Sequence, residues 1–66
     1  MIATINGEVR VVPDGSTIAD LLESFGLPGK TVLVERNGEP VARDVFSEQT
    51  IREDDRIEII NMVAGG

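Results

Sequence analysis

Apolar and polar positions alternate at the start of the chain. Met1, Ala3 and Ile5 share one parity with Val9 and Val11, and Thr4, Glu8 and Arg10 take the other, with Ile2 as the exception. A period of two predicts β-strands over 1–6 and 8–12. Between them stands Asn6-Gly7, the dipeptide suited to the positive φ angles of a two-residue type I′ turn, so the strands are expected to form a hairpin with the odd-numbered apolar residues on its core face. Pro13-Asp14-Gly15 ends the second strand.

The period then changes. Ile18, Leu21, Leu22 and Phe25 stand at i, i+3, i+4 and i+7, which predicts one turn-rich helix with an apolar stripe, while Asp20, Glu23 and Ser24 face water. Thr17 and Asp20 have capping-box spacing, and Gly26 is placed as a left-handed C-terminal residue with Leu27 folding back on the last turn. Thr31 to Arg36 is a dense β-branched run expected near the centre of a sheet. Asn37-Gly38 predicts a second tight hairpin, and Pro40 marks the returning segment, Glu39 to Ala42, as a short edge strand. In the polar stretch 43–49 a loop or single helical turn is expected to drop Phe46 onto the core. Glu53-Asp54-Asp55 reads as a solvated acidic turn, and Arg56 to Ile60 as the last strand. Strands with one helix packed on one face make an α+β domain, here a single domain over 1–66.

Composition narrows the chemistry. A chain of 66 residues builds a small core and a modest stability. It has neither cysteine nor histidine, which removes disulfides, the usual zinc ligands, and the Ser-His and Cys-His nucleophile pairs. A self-contained enzyme is not expected. The net charge of −6 argues against a nucleic-acid binder, and the chain shows neither a membrane-span-length apolar run nor a signal-peptide start, so a cytoplasmic protein is expected. Consecutive carboxylates at 53–55 point apart on an extended segment and do not predict a metal site. Ser16-Thr17 serve as turn and cap residues; the chain is too strand-rich for a serine-linked carrier.

The remaining candidate group is the carboxyl of Gly66. Gly65-Gly66 adds nothing to a fold, because glycine loses the most backbone entropy on ordering, but without Cβ atoms it can thread a narrow channel. An α-carboxylate is a poor electrophile at neutral pH. Coupling it to AMP from ATP makes it an acyl donor, to sulfide as a thiocarboxylate or to an amine as an amide. Nearly all catalytic groups would then belong to the activating enzyme.

Val34 with Asn37-Gly38, Pro40-Val41 with Arg43 and Phe46, Asp55-Arg56-Ile57-Glu58-Ile59, and the ending Val63-Ala64-Gly65-Gly66 together resemble the ThiS family of small sulfur carriers, and more distantly MoaD and ubiquitin-like modifiers. The resemblance spans essentially the whole chain. Its one departure is Asp54, where the family pattern has glycine; aspartate tolerates a left-handed turn well. The resemblance implies a β-grasp fold, a mixed sheet of four to five strands with one main helix on one face. It implies that a ThiF-like enzyme, using ATP, adenylates Gly66, that a cysteine-derived persulfide supplies sulfur, and that the thiocarboxylate serves thiazole synthase, ThiG. No cofactor of its own is implied, and the domain is expected to be a monomer when free. Residues 62–66 would form a flexible arm, with Met62, Val63, Ala64 and Gly65 held by partners. The docking patch would come from Ile57, Ile59 or Ile60 together with Met62, although Ile57 and Ile59 read first as core and Met62, past the core-facing part of the strand, as a partner contact. Sulfur delivery to molybdopterin or tRNA, protein conjugation, and a non-reactive β-grasp interaction module stand as the other readings.

Overall fold

The computed structural model describes residues 1–62. Its elements are β1 (Ile2–Ile5), β2 (Glu8–Val11), α1 (Ile18–Ser24), β3 (Val32–Arg36), β4 (Glu39–Pro40) and β5 (Arg56–Asn61). They form a five-stranded mixed sheet in the order β2-β1-β5-β3-β4, with β1 and β5 parallel and the other pairs antiparallel. The helix covers one face, giving the β-grasp architecture. Short 3₁₀ turns occupy Gly29–Thr31 and Arg43–Val45, and the second delivers Phe46 into the core, where it is 5% exposed.

Local chemistry accounts for the boundaries. Asn6 and Gly7 take φ of 50° and 83°, the paired left-handed conformations of the predicted turn, and Asn37-Gly38 repeats them. Thr17 caps α1 reciprocally: its hydroxyl accepts from the Asp20 amide at 3.1 Å and its own amide donates to the Asp20 carboxylate at 3.0 Å. At the other end Leu27 N–H donates to Leu22 O and Gly26 N–H to Glu23 O, both 2.9 Å, with Gly26 at φ 70°. This is the Schellman arrangement, and its left-handed residue is most easily a glycine. A seven-residue helix depends on such caps. Thr17→Ala is expected to lower unfolding free energy by about 1 kcal/mol, read from the urea midpoint at unchanged slope.

The core lies between α1 and one face of the sheet. Ala3 and Ile5 of β1, Val32 and Val34 of β3, and Ile57 and Ile59 of β5 point into it and meet Ile18, Leu21 and Leu22. Phe25, at the end of the predicted stripe, caps the helix and is 36% exposed, with the Arg10 guanidinium 5.1 Å from its ring centre.

Three expectations are corrected. Val9 and Val11 do not join the core: they are 71% and 84% exposed on the opposite face. The turn itself dictates this. A two-residue loop pairs Ile5 with Glu8, hence Ala3 with Arg10 and Thr4 with Val9, so odd residues of β1 face with even residues of β2. Second, the central strand is β5. β3 is the interior strand beside it, near the centre as expected, but because only one face of the sheet is covered its apolar run alternates in burial, with Leu33 48% exposed. Third, Asp55 is not solvated but 5% exposed, whereas Asp54 takes φ 67° as the turn requires.

Candidate functional site

The strand that leads toward residue 66 is tied down along its length by groups far away in sequence. Asn6, after turning the first hairpin, accepts from the Ile59 amide through Oδ1 at 2.7 Å and donates through Nδ2 to the Ile59 carbonyl at 3.3 Å. Asn37 does the same work at the start of β5. Its Oδ1 accepts from the Arg56 amide at 2.9 Å, and its Nδ2 donates to Asp55 Oδ1 at 3.1 Å. Asp55 Oδ2 accepts from the Arg52 amide at 2.8 Å and lies 3.5 Å from Arg36 Nε. A buried carboxylate with this set of partners is satisfied. The turn asparagines thus lock β5 in register from both sides. Beyond the strand, the Met62 amide donates to the Thr31 carbonyl at 2.7 Å.

β5 alternates cleanly. Ile57 and Ile59, at 0% and 9% exposure, point to the helix and are core, so neither belongs to a docking patch. Ile60 and Met62 are 53% and 59% exposed, and Leu33 stands directly across from Ile60 on β3. These three make an apolar patch on the uncovered sheet face where the chain runs toward residues 63–66. Ile60 and Met62 were expected there; Leu33 was not, although its parity with Val32 and Val34 carries the signal once β3 is known to be covered on one face. Val63, Ala64, Gly65 and Gly66, the other expected site residues, lie outside the described residues.

On the same face, next to the patch, Glu35 of β3 pairs directly with Glu58 of β5, and both are exposed. Among the described residues no group of three or more acidic side chains could hold a metal ion, Glu53-Asp54-Asp55 included. Glu53 instead accepts from the Ile2 amide at 2.9 Å, and Asp55 is taken up by the turn. No helix among the described residues is long and apolar enough to cross a membrane.

The model of the ThiS family matches residues 2–66. The chain is 41% identical to the sulfur carrier protein ThiS of Bacillus subtilis over 63 residues, covering 94% of this chain and 96% of that one. It is 36% identical over 62 residues to a thiazole synthase of Magnetococcus marinus, of whose length it spans 19%. The crystal structure of the thiamine biosynthesis protein ThiS from Geobacter metallireducens superposes with a TM-score of 0.83 at 29% identity, each chain covered completely.

Proposed function

The chain belongs to the ThiS family, and from that membership we propose that it carries sulfur for thiazole formation in thiamin biosynthesis, with the carboxyl of Gly66 as the reacting group. The observation that carries this reading is the match, over nearly the whole length of both chains, to a sulfur carrier protein. In the proposed cycle a Gly66 carboxylate oxygen attacks the α-phosphorus of ATP on a ThiF-like enzyme, releasing pyrophosphate and leaving an acyl adenylate. The terminal sulfur of a cysteine-derived persulfide displaces AMP, and a thiol cleaves the resulting S–S bond to free the thiocarboxylate. The use of ATP makes the cytoplasm the proposed compartment.

The domain's own part is presentation. It supplies no base or nucleophile from histidine or cysteine, and it needs none, since adenylation gives the acyl carbon its leaving group. What it supplies is a starting point fixed by Asn6, Asn37 and the β3–β5 ladder, from which residues 62–66 act as the arm held by partners, Met62 at its root and Val63, Ala64 and Gly65 leading to Gly66.

The preferred acceptor is a ThiG-like thiazole synthase. A stretch similar to this chain makes up 19% of each of two thiazole synthases, from Magnetococcus marinus and Paramagnetospirillum magneticum. Joining donor and acceptor in one polypeptide raises their effective concentration, which is useful only if they react with each other.

Incubation with the adenylating enzyme, ATP and a persulfide donor, followed by a thiol-selective alkylating agent and intact-mass analysis, tests the reading. A sequence without cysteine has no thiol side chain, so an ATP-dependent adduct that maps to Gly66 reports a thiocarboxylate. Absence of the adduct with active enzyme and donor would favour a non-reactive interaction module.

A further inference from the structure

Arg43, on the 3₁₀ turn that buries Phe46, directs its guanidinium at main chain. Nε donates to the Gly29 carbonyl at 3.0 Å and Nη2 to the Val32 carbonyl at 3.3 Å, and among the described residues no carboxylate lies within 4.0 Å of it. The two carbonyls bracket Lys30 and Thr31, and the Thr31 carbonyl is the acceptor that holds the Met62 amide at 2.7 Å. Successive carbonyls along a strand point to opposite edges, so Thr31 faces β5 and Val32 faces away from it. β4 pairs with Glu35 and Arg36, and the Val41 amide reaches Val34; near Val32 the outer edge of β3 is held by Arg43 instead. Behind it, the Phe46 ring stands 3.6 Å from where a Cβ of Gly29 would lie, and the Phe46 carbonyl accepts from the Ala19 amide of α1 at 2.9 Å. The Met62 amide is thus tied to the helix through one loop.

We propose that Arg43 is a positioning residue for the arm: by clamping Gly29 and Val32 it fixes the Thr31 carbonyl, and through it the Met62 amide from which residues 63–66 lead to Gly66. This rests on the carrier reading above. Residues 63–66 span at most about 14 Å, so a tilt of about 10° at Met62 carries the terminal carboxyl by roughly 2 Å. A displacement of that order takes a reacting atom out of attack distance. Arginine suits the task because its planar fork reaches two acceptors from one rigid group, whereas a lysine ammonium is a point charge on a flexible stem. The Arg43 side chain is exposed, so its removal strands no buried charge and the core keeps its packing.

Arg43→Met and Arg43→Lys are compared with Thr17→Ala, which also removes a side-chain bond to backbone but at the start of the helix. Hydrogen exchange of the Met62 amide is followed by NMR in the free domain. It is expected to quicken at least about fivefold in Arg43→Met and less in Arg43→Lys, and to stay within about twofold of wild type in Thr17→Ala, since an amide near a chain end exchanges by local opening and not by global unfolding. Pyrophosphate release by the adenylating enzyme is then measured against carrier concentration. For Arg43→Met kcat is expected to fall about tenfold with KM within about twofold, because the arm's aim is lost and the body of the domain is unchanged. Arg43→Lys should lie between Arg43→Met and wild type, and Thr17→Ala should keep both constants. Unchanged Met62 exchange, quickened exchange with kcat intact, a loss confined to KM, or an equal loss of kcat in Thr17→Ala would each overturn the proposal. Absence of pyrophosphate release from the wild-type chain with active enzyme would overturn the carrier reading, and with it any role of Arg43 in aiming the arm, whatever the exchange shows of its hold on Met62.

Discussion

Ile57→Ala is expected to remove most of the folding stability of this domain. Ile57 is fully buried near the start of the central strand, paired with Ile5 on one side and with Arg36 on the other, and packed toward α1. Removing a buried isoleucine to the β-carbon costs about 2–5 kcal/mol, made up of lost transfer free energy and the cavity left behind. A 66-residue domain has roughly 3–10 kcal/mol in all. The site is poorly able to collapse, since hydrogen bonds to both neighbouring strands hold the backbone in place. Thermal unfolding should show a fall in Tm of at least about 10 °C. Ile60→Ala, three residues along and on the uncovered face, should lie within about 1 kcal/mol of wild type because the side chain is 53% exposed. Similar losses at the two positions would mean that the sheet is covered on both faces and that the patch at Leu33, Ile60 and Met62 is core.

The same parity separates what the sequence disclosed from what it withheld. The helix, its capping box and its glycine end were legible because each depends on residues within a few positions of one another. So were both Asn-Gly turns and the 3₁₀ turn that buries Phe46. The face of Val9 and Val11 was misread although the turn had been identified: a two-residue loop fixes cross-strand parity, and that constraint outranks hydrophobicity when a small sheet can cover only one face. The place of β3 inside the sheet was legible, but the burial of its run was not. Continuous apolarity over Val32, Leu33 and Val34 suggests burial on both faces, but the helix covers only one, and Leu33 stands 48% exposed on the other. The polar ties on β5 were illegible in principle. Asn6 and Ile59 are 53 positions apart, Asn37 and Asp55 are 18 apart, and nothing in the local sequence distinguishes an asparagine that only turns from one that also clamps a distant strand. Asp55 looked like part of a solvated acidic run for the same reason.

Deleting Gly66 is expected to abolish thiocarboxylate formation while leaving fold and docking intact. The variant still ends in a glycine carboxylate, at Gly65, so the chemistry of the reacting group is unchanged and only reach is altered. One residue is about 3.5 Å, and displacement of a reacting atom by far less than that costs on the order of a hundredfold in rate. Retreat of the carboxylate cannot be made good by drawing more chain out of the sheet, because β5 is held by Asn6 and Asn37 and the Met62 amide by Thr31. The alkylation assay should therefore detect no adduct, whereas Tm should stay within about 1 °C of wild type, terminal residues contributing little to a fold. If the sheet face and not the arm supplies most of the affinity, the shortened chain should compete with the intact one for the adenylating enzyme at an inhibition constant close to the intact chain's KM. Adduct formation at the wild-type rate would show that the acyl carbon need not sit at a fixed distance from β5. A marked fall in Tm would show that residues 63–66 take part in the fold instead of standing out from it.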